Sequence, residues 1–340
     1  MSSSHPFDAV LIVSFGGPQG PEEIRPFLQN VLRGRRIPPD RVEQVAHHYE
    51  LFGGVSPLTA LTARQADALR ARLEARGLAL PVYVGMRNWQ PFLHDTLRTM
   101  SADGVRHAIG VIAAAHHSYS GCTQYRYNVM QARSETPAAP HVIYAGDWHT
   151  HPGFIAAAAD RIQHARASLP AEHRDHARVI FTAHSIPLAM AHVDTYQREL
   201  RESAAAVAAA LGIDDWALVY QSRSGRPQDP WLEPDINEYL RLARVQGVQA
   251  VILSPLGFVC DHIEVLYDLD IEAKTTCEEV GLAMARAASV NDHPRFIDAL
   301  ADAVAATIDR YRAGRPLPLI SADTPNPLEL PPPVPRWPTA

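Results

Sequence analysis

The chain alternates short, β-branched apolar runs with longer stretches of helical periodicity, and that alternation admits few folds. Residues 8–15 (DAVLIVSF) read as a strand by length, by β-branching and by the Gly16-Gly17-Pro18 stop behind them. Further strands are expected at 81–85, 107–113, 141–144, 177–183, 217–221 and 250–255. Helical patterns fill the intervals at 21–32, 41–52, 60–76, 91–100, 120–133, 153–168, 195–211, 235–245, 261–280 and 294–311. Strands joined through helices form βαβ units, and such units build parallel sheets. The simplest arrangement is an α/β protein of two halves, 7–147 and 148–313, joined near 145–152. Nine of the 28 prolines fall in residues 314–340, so that tail is expected to be extended or disordered.

Composition removes several function classes. Thirty-one basic against 37 acidic residues give a net charge of −6, which argues against a nucleic-acid binder. The only lysine is Lys274, and neither a phosphate-binding loop nor a pyridoxal motif surrounds it. Cys122, Cys260 and Cys277 are widely spread with no CxxC pair, which suits a reducing cytosol better than a disulfide framework. The first residues lack a signal-peptide design, and the most apolar stretch, 204–213, is far below the ~20 residues of a membrane span. A cytoplasmic protein without a transmembrane segment is expected.

Ligands in open α/β sheets bind beyond the carboxyl ends of the strands, so segments leaving strands hold the candidates. His184 closes a strand and precedes Ser185 and Pro187; a ring hydrogen bond to its own loop backbone would account for it. Surface polarity would account for His116-His117. No G-x-S-x-G elbow supports a serine hydrolase. Glu264, Asp268 and Glu272 fall at i, i+4 and i+8, within an arc of ~80° on one helix face. Like charges at that spacing repel by ~0.2–0.5 kcal/mol per pair. Three explanations stand open: Glu264 as the N3 residue of a capping box opened by Asp261, a solvated acidic face, or a row that holds a hydrated divalent cation.

Longer motifs add to this reading. Phe181-Thr182-Ala183-His184-Ser185-Ile186-Pro187 and residues 256–270 (LGFVCDHIEVLYDLD) resemble the signature of the ferrochelatase family. Similar motifs stand at 14–18 (SFGGP), 52–58 (FGGVSPL), 85–91 (GMRNWQP), 221–225 (QSRSG) and 230–235 (PWLEPD), and the resemblance runs from Ala9 to about Ile308. It implies a lyase of haem biosynthesis that inserts Fe²⁺, as substrate, into a free-base porphyrin. It also implies a chelatase-like fold of two Rossmann-like domains with parallel sheets and the active site in the cleft between them.

Carried over motif by motif, the resemblance implies that His184 and Glu264 form the catalytic pair and, with Asp268 and Glu272, the metal site. It implies porphyrin contacts at Ser56, Tyr125 and Phe15, and a propionate-binding edge at Arg33, Arg35 and Arg36. Metalation removes two pyrrole protons and admits one dication, and a neutral histidine can accept a proton or ligate metal near operating pH. The division of labour between His184 and Glu264 stays open. Phe15 stands where many relatives carry a metal-contacting tyrosine, and phenylalanine has no hydroxyl to offer.

The segment before Ser56, with His47, His48 and Glu50, is polar, unlike the apolar lip of membrane-docking members. Similarity to actinobacterial-type members implies coproporphyrin III as the substrate, with protoporphyrin IX next and a non-catalytic haem-binding role third. Transient contact with neighbouring haem-pathway enzymes is a further implied partnership. Some relatives hold a [2Fe–2S] centre with one mid-chain cysteine and three near the C-terminus. Cys122 matches the first, but residues 314–340 contain no cysteine, so no iron–sulfur cluster is expected.

Overall fold

Each apolar run marked as a strand pairs in parallel with a neighbour reached through a helix. A computed structural model describes residues 7–33, 39–190, 192–224 and 228–315. Arg35, Arg36 and the tail beyond 315 lie outside the described residues.

The first sheet contains β1 (Ala9–Ser14), β2 (Val82–Met86), β3 (His107–Ile112) and β4 (His141–Tyr144), in the order β2-β1-β3-β4. All its pairings are parallel. Central β1 is buried at all six positions, which is why it reads AVLIVS without polar alternation. Helices α1 (Ile24–Val31), α2 (Pro39–Glu50), α3 (Leu58–Ala75), α4 (Leu93–Ala102) and α5 (Gln124–Ser134) belong to this unit. Helices α1 and α2 bury Ile24, Phe27, Leu28 and Ala46 in a cluster against which Phe15 and Trp89 pack.

The second sheet repeats the plan. It contains β5 (Arg178–His184), β6 (Trp216–Gln221), β7 (Ala250–Ser254) and β8 (Ala283–Arg286), in the order β6-β5-β7-β8, again all parallel. Its helices are α6 (Pro152–Ser168), α7 (Val193–Leu211), α8 (Ile236–Val245), α9 (Ile263–Val265) and α10 (Lys274–Val280), followed by α11 (Pro294–Arg312). The core of this unit gathers Ile180, Val219, Leu240, Val251, Leu253, Val265 and Leu269. No helix among the described residues is long and apolar enough to cross a membrane.

Three features differ from the sequence expectations. Strand β8 was not foreseen, because Ala-Met-Ala-Arg has little of the β-branched character that marks a strand. The helix expected over 261–280 is instead α9, a π-helix at Leu266–Ala273 and α10. The division at 147/148 is crossed twice. Residues 114–119 belong with 149–296, and residues 297–315 with the unit of 7–113 and 120–148. Local interactions explain both crossings. His117 bonds Glu199 of α7, whereas Arg76, the residue after α3, bonds Asp298 and Asp302 of α11 at 3.1 and 2.5 Å.

One glycine decides how the loop after β7 passes β5. A Cβ at Gly257 would lie 2.6 Å from the Cβ and 2.7 Å from the Cα of Ala183, and the Gly257 amide donates to the Thr182 carbonyl at 3.0 Å. Backbone on one side cannot yield as a flexible side chain would. Gly257→Ala is therefore expected to destabilise the protein by about 1–3 kcal/mol, measured by urea unfolding; a wild-type midpoint would show that the two segments have room to part.

Candidate active site

Both sheets reverse their winding beside their first strand, between β1 and β3 and between β5 and β7. The carboxyl ends of β1 and β5 are therefore the switch points where ligands bind in such sheets. Phe15 follows β1, and His184 is the last residue of β5.

The loop past Gly257 delivers Glu264 to His184. The imidazole Nδ1 of His184 donates to the Ser185 carbonyl. A carbonyl only accepts, so Nδ1 carries the proton and Nε2 of the neutral ring keeps its lone pair. That Nε2 lies 3.5 Å from Glu264 Oε1, with the two side chains 34% and 39% exposed, so both are reachable from solvent. The backbone hydrogen bond and the functional placement thus coexist. Tyr196, whose pKa burial pushes up, keeps its proton and donates to the His184 carbonyl at 3.2 Å. Burial also holds His262, the residue before α9, below the ordinary histidine value.

The capping-box explanation of Glu264 fails. Asp261 caps no helix: its carboxylate accepts from Arg286 Nη1 at 2.9 Å, the Ser289 amide at 3.1 Å and Asn291 Nδ2 at 2.8 Å. A uniformly solvated face fails too. Glu272 is exposed, Glu264 half-exposed, and Asp268 only 8% exposed. The π-helix alters the row as well. In an α-helix each fourth residue overshoots a full turn by about 40°, whereas the wider i→i+5 turn reduces that overshoot and straightens the file.

Asp268 is held from the end of β6. Its Oδ2 accepts from the Ser222 hydroxyl and from Gln221 Nε2 at 3.1 Å. Ser222 adopts φ +64°, a left-handed conformation that costs a non-glycine residue energy and here turns its hydroxyl to Asp268. Burial, then the charge of Glu264, push the Asp268 carboxyl up to about 8 against the two donors. Among the described residues, no three His, Cys, Asp or Glu side chains gather closely enough to hold a metal ion. The four residues expected as a metal set are one close pair followed by a file.

The residues expected to touch porphyrin belong to the first unit. Phe15 and Tyr125 sandwich a residue of the 85–91 motif to which no role was assigned above. The Arg87 guanidinium lies 5.5 Å from the Phe15 ring centre and 5.1 Å from that of Tyr125. Ser56 is only 3% exposed and packs on Gly17, where a Cβ would sit 2.5 Å from its own. Its Oγ accepts from the Leu58 amide at 3.4 Å, so the hydroxyl faces the start of α3. Arg33 is exposed and donates to Asn30 Oδ1 at 2.8 Å. The expected contacts at Arg35 and Arg36 fall outside the described residues.

His116 and His117 are not surface polarity. His116 is 3% exposed with Nε2 2.9 Å from Ser203 Oγ, and burial, then His149 and His117, hold it well below the ordinary value. His117 pairs with the buried carboxylate of Glu199 at 3.1 Å.

Comparison with known proteins places this geometry. The family model described as Ferrochelatase matches residues 7–308. The chain belongs to the ferrochelatase family. A relative named coproporphyrin III ferrochelatase, from Mycolicibacterium smegmatis, is 45% identical over 97% of this chain and 95% of its own. One of the same name from Streptomyces coelicolor is 46% identical over 88% and 85%, and a ferrochelatase from Rhodopirellula baltica is 46% identical over the same shares. The sirohydrochlorin chelatase SirB of Bacillus subtilis subspecies spizizenii, solved in complex with cobalt, shares the fold with a TM-score of 0.54 at 12% identity. That match covers 90% of this chain and 97% of SirB. Enzymes of the ferrochelatase family insert metal into porphyrin, and at the end of β5 this member sets a ring nitrogen and a carboxylate oxygen 3.5 Å apart.

The raised carboxyl of Asp268 has a consequence for stability. A carboxyl whose pKa rises on folding costs stability once pH exceeds its unfolded value of about 3.9. That cost is complete above about 8. Metal-free Asp268→Asn is therefore expected to melt close to wild type at pH 5 and several degrees higher at pH 8.5. Thermal denaturation in chelator checks this, and a gap independent of pH would exclude the buried carboxyl as its source.

Proposed function

We propose that this enzyme inserts Fe²⁺ into coproporphyrin III in haem biosynthesis. The observation that carries the reading is the His184–Glu264 pair, with Nε2 and Oε1 3.5 Å apart and the far side of the imidazole tied to its own backbone. A divalent first-row cation about 2.1 Å from each atom would span that distance at an angle of about 110°. The choice of coproporphyrin is supported by the names of the actinobacterial relatives and by the polar segment before Ser56.

In this reading iron enters along Glu272 and Asp268 toward Glu264. Asp268 carries a proton in the metal-free protein at neutral pH, and an arriving dication displaces it. Two protons leave the pyrrole nitrogens as one dication enters, so the macrocycle ends neutral. Once the cation has passed from the pair to the ring, the His184 Nε2 lone pair is free to accept one proton and the Glu264 carboxylate the other, and solvent carries both away. Phe15, Arg87 and Tyr125 offer one face where a flat, anionic ring can stack and pair with a guanidinium. Arg33, Arg35 and Arg36 serve the propionates and Ser56 fixes the Gly17 loop. The reaction is assigned to the cytoplasm, where thiols stay reduced; no disulfide joins the three cysteines.

Anaerobic absorbance assays with Fe²⁺ test the reading directly. Coproporphyrin III is expected to be consumed faster than protoporphyrin IX, and the reverse order would overturn the substrate assignment. His184→Ala is expected to lose at least about 100-fold in rate while still quenching porphyrin fluorescence, and Glu264→Gln most of its activity. Near-normal turnover of either folded variant would remove the pair from the mechanism.

We propose further that the enzyme works without an iron–sulfur cluster. Four thiolates hold such a centre, whereas the sequence offers three cysteines. Cys277 is buried, and its thiol is pushed up to about 12 by that burial, then by Glu278, far from the thiolate a cluster needs. Anaerobically purified protein is expected to contain no acid-labile sulfide; stoichiometric sulfide would refute this.

A further inference from the structure

The acidic row is held from behind. Arg286, the last residue of β8, donates from Nε to Asp270 Oδ1 at 2.6 Å and from Nη1 to Asp261 Oδ1 at 2.9 Å. We propose that Arg286 is a positioning residue for iron handling: through Asp261 and Asp270 it fixes the pitch at which Glu264, Asp268 and Glu272 meet the metal. The inference rests on reading that row as the route of the metal.

Three observations carry it. First, the two anchors bracket the segment. Asp261 stands three residues before Glu264, and Asp270 stands between Asp268 and Glu272. Residues two apart in a helix do not share a face, so the Arg286–Asp270 bond pulls on the side opposite the row. Second, the upstream anchor is fixed at both backbone and side chain. Asn291 returns its Oδ1 to the Asp261 amide at 2.9 Å while its Nδ2 holds the carboxylate at 2.8 Å. Third, packing alone does not secure this flank. A cavity of about 370 Å³ borders it, lined among others by Asp270, Lys274, Cys277, Met284 and Arg286. That space is open to solvent, which offers no fixed neighbours to pack against, and a forked ion pair can supply the rigidity instead.

The arrangement also divides the charges. Arg286 is 17% exposed, and its Nε and Nη1 are both taken by carboxylates off the row. The neighbouring cation therefore does not neutralise Glu264 or Glu272, which keep their attraction for an arriving dication. A lysine could not reproduce this, because an ammonium lacks the planar fork that reaches two carboxylates at fixed angles.

The test uses the full chain and two readouts. Co²⁺ is titrated calorimetrically into porphyrin-free protein, and iron insertion is followed at varied Fe²⁺ and varied porphyrin. Arg286→Gln is expected to weaken Co²⁺ binding by about 10- to 100-fold and to raise KM for Fe²⁺ with KM for porphyrin unchanged. Arg286→Lys should fall between it and wild type. Adding Asp270→Asn to Arg286→Gln should cost little more, since the two act through one contact. If Arg286→Gln does not fold, Arg286→Lys and Asp270→Asn carry the same comparison. Wild-type Co²⁺ affinity in a folded variant, equal rises in both KM values, or no measurable Co²⁺ binding by wild type would each overturn the proposal. A wild type that inserts no iron, yet loses Co²⁺ affinity on Arg286→Gln, would sink the insertion reading and leave the positioning role standing.

Discussion

Three carboxylates at four-residue intervals repel one another, and the second unit is arranged so that they stay together. A solvated helix would relieve the repulsion by spreading its side chains. Here Ser222 and Gln221 draw Asp268 inward, and burial keeps its proton on at neutral pH, which removes one charge from the middle of the row. The charges that remain, on Glu264 and Glu272, are then separated by a neutral acid. Stability is given up for this, because a buried carboxyl that must ionise costs the fold free energy. The left-handed Ser222 adds to the same cost.

The topology explains why these groups converge. Two sheets with the same strand order each offer one switch point, and the residues that leave it are fixed by central, fully buried strands. At β5 the opening is narrow: Gly257 lets the next crossover lie against Ala183, so that Glu264, seven residues on, reaches the imidazole. Phe15, at the matching position after β1, meets Arg87 from the turn after β2. One unit thus sets an imidazole beside a carboxylate at its switch point, and the other sets a guanidinium between two aromatic rings. The same strand order has been filled with different chemistry, and no sequence repeat announces it.

Much of this was legible from residues alone, and the failures share a cause. Seven strands were readable because buried parallel strands need β-branched runs; β8 was not, because an edge strand covered by neighbours can be built from Ala and Met. His184 and Glu264 stood out by motif, and their spacing in space needed only the β5 and β7 crossovers. What sequence could not supply was the partner of each polar group. Asp261 three residues before Glu264 has the spacing of a capping box, yet its carboxylate turns to Arg286. His116 looks like surface polarity until Ser203 is seen across from it. The π-helix leaves no trace in a four-residue pattern, since i, i+4, i+8 is compatible with either pitch. Arg87 lay inside a recognised motif, but only coordinates bring it between two rings.

A metal that is substrate sets a different requirement from a metal that is structural. Structural sites hold zinc by about 10–16 kcal/mol, and each 1.4 kcal/mol is tenfold in affinity, so a site of that depth would retain iron against transfer to a porphyrin. In the proposed route the donors are graded instead. Exposed Glu272 offers a weak, hydrated contact; Asp268 has one oxygen already occupied by two hydrogen bonds; the His184–Glu264 pair supplies two ligand atoms 3.5 Å apart. Nitrogen at the last station is a better partner than carboxylate for a borderline cation, so each step improves on the one before it without completing a coordination shell. Under the proposed function the four pyrrole nitrogens would complete it, with His184 and Glu264 as the proton acceptors at the same place.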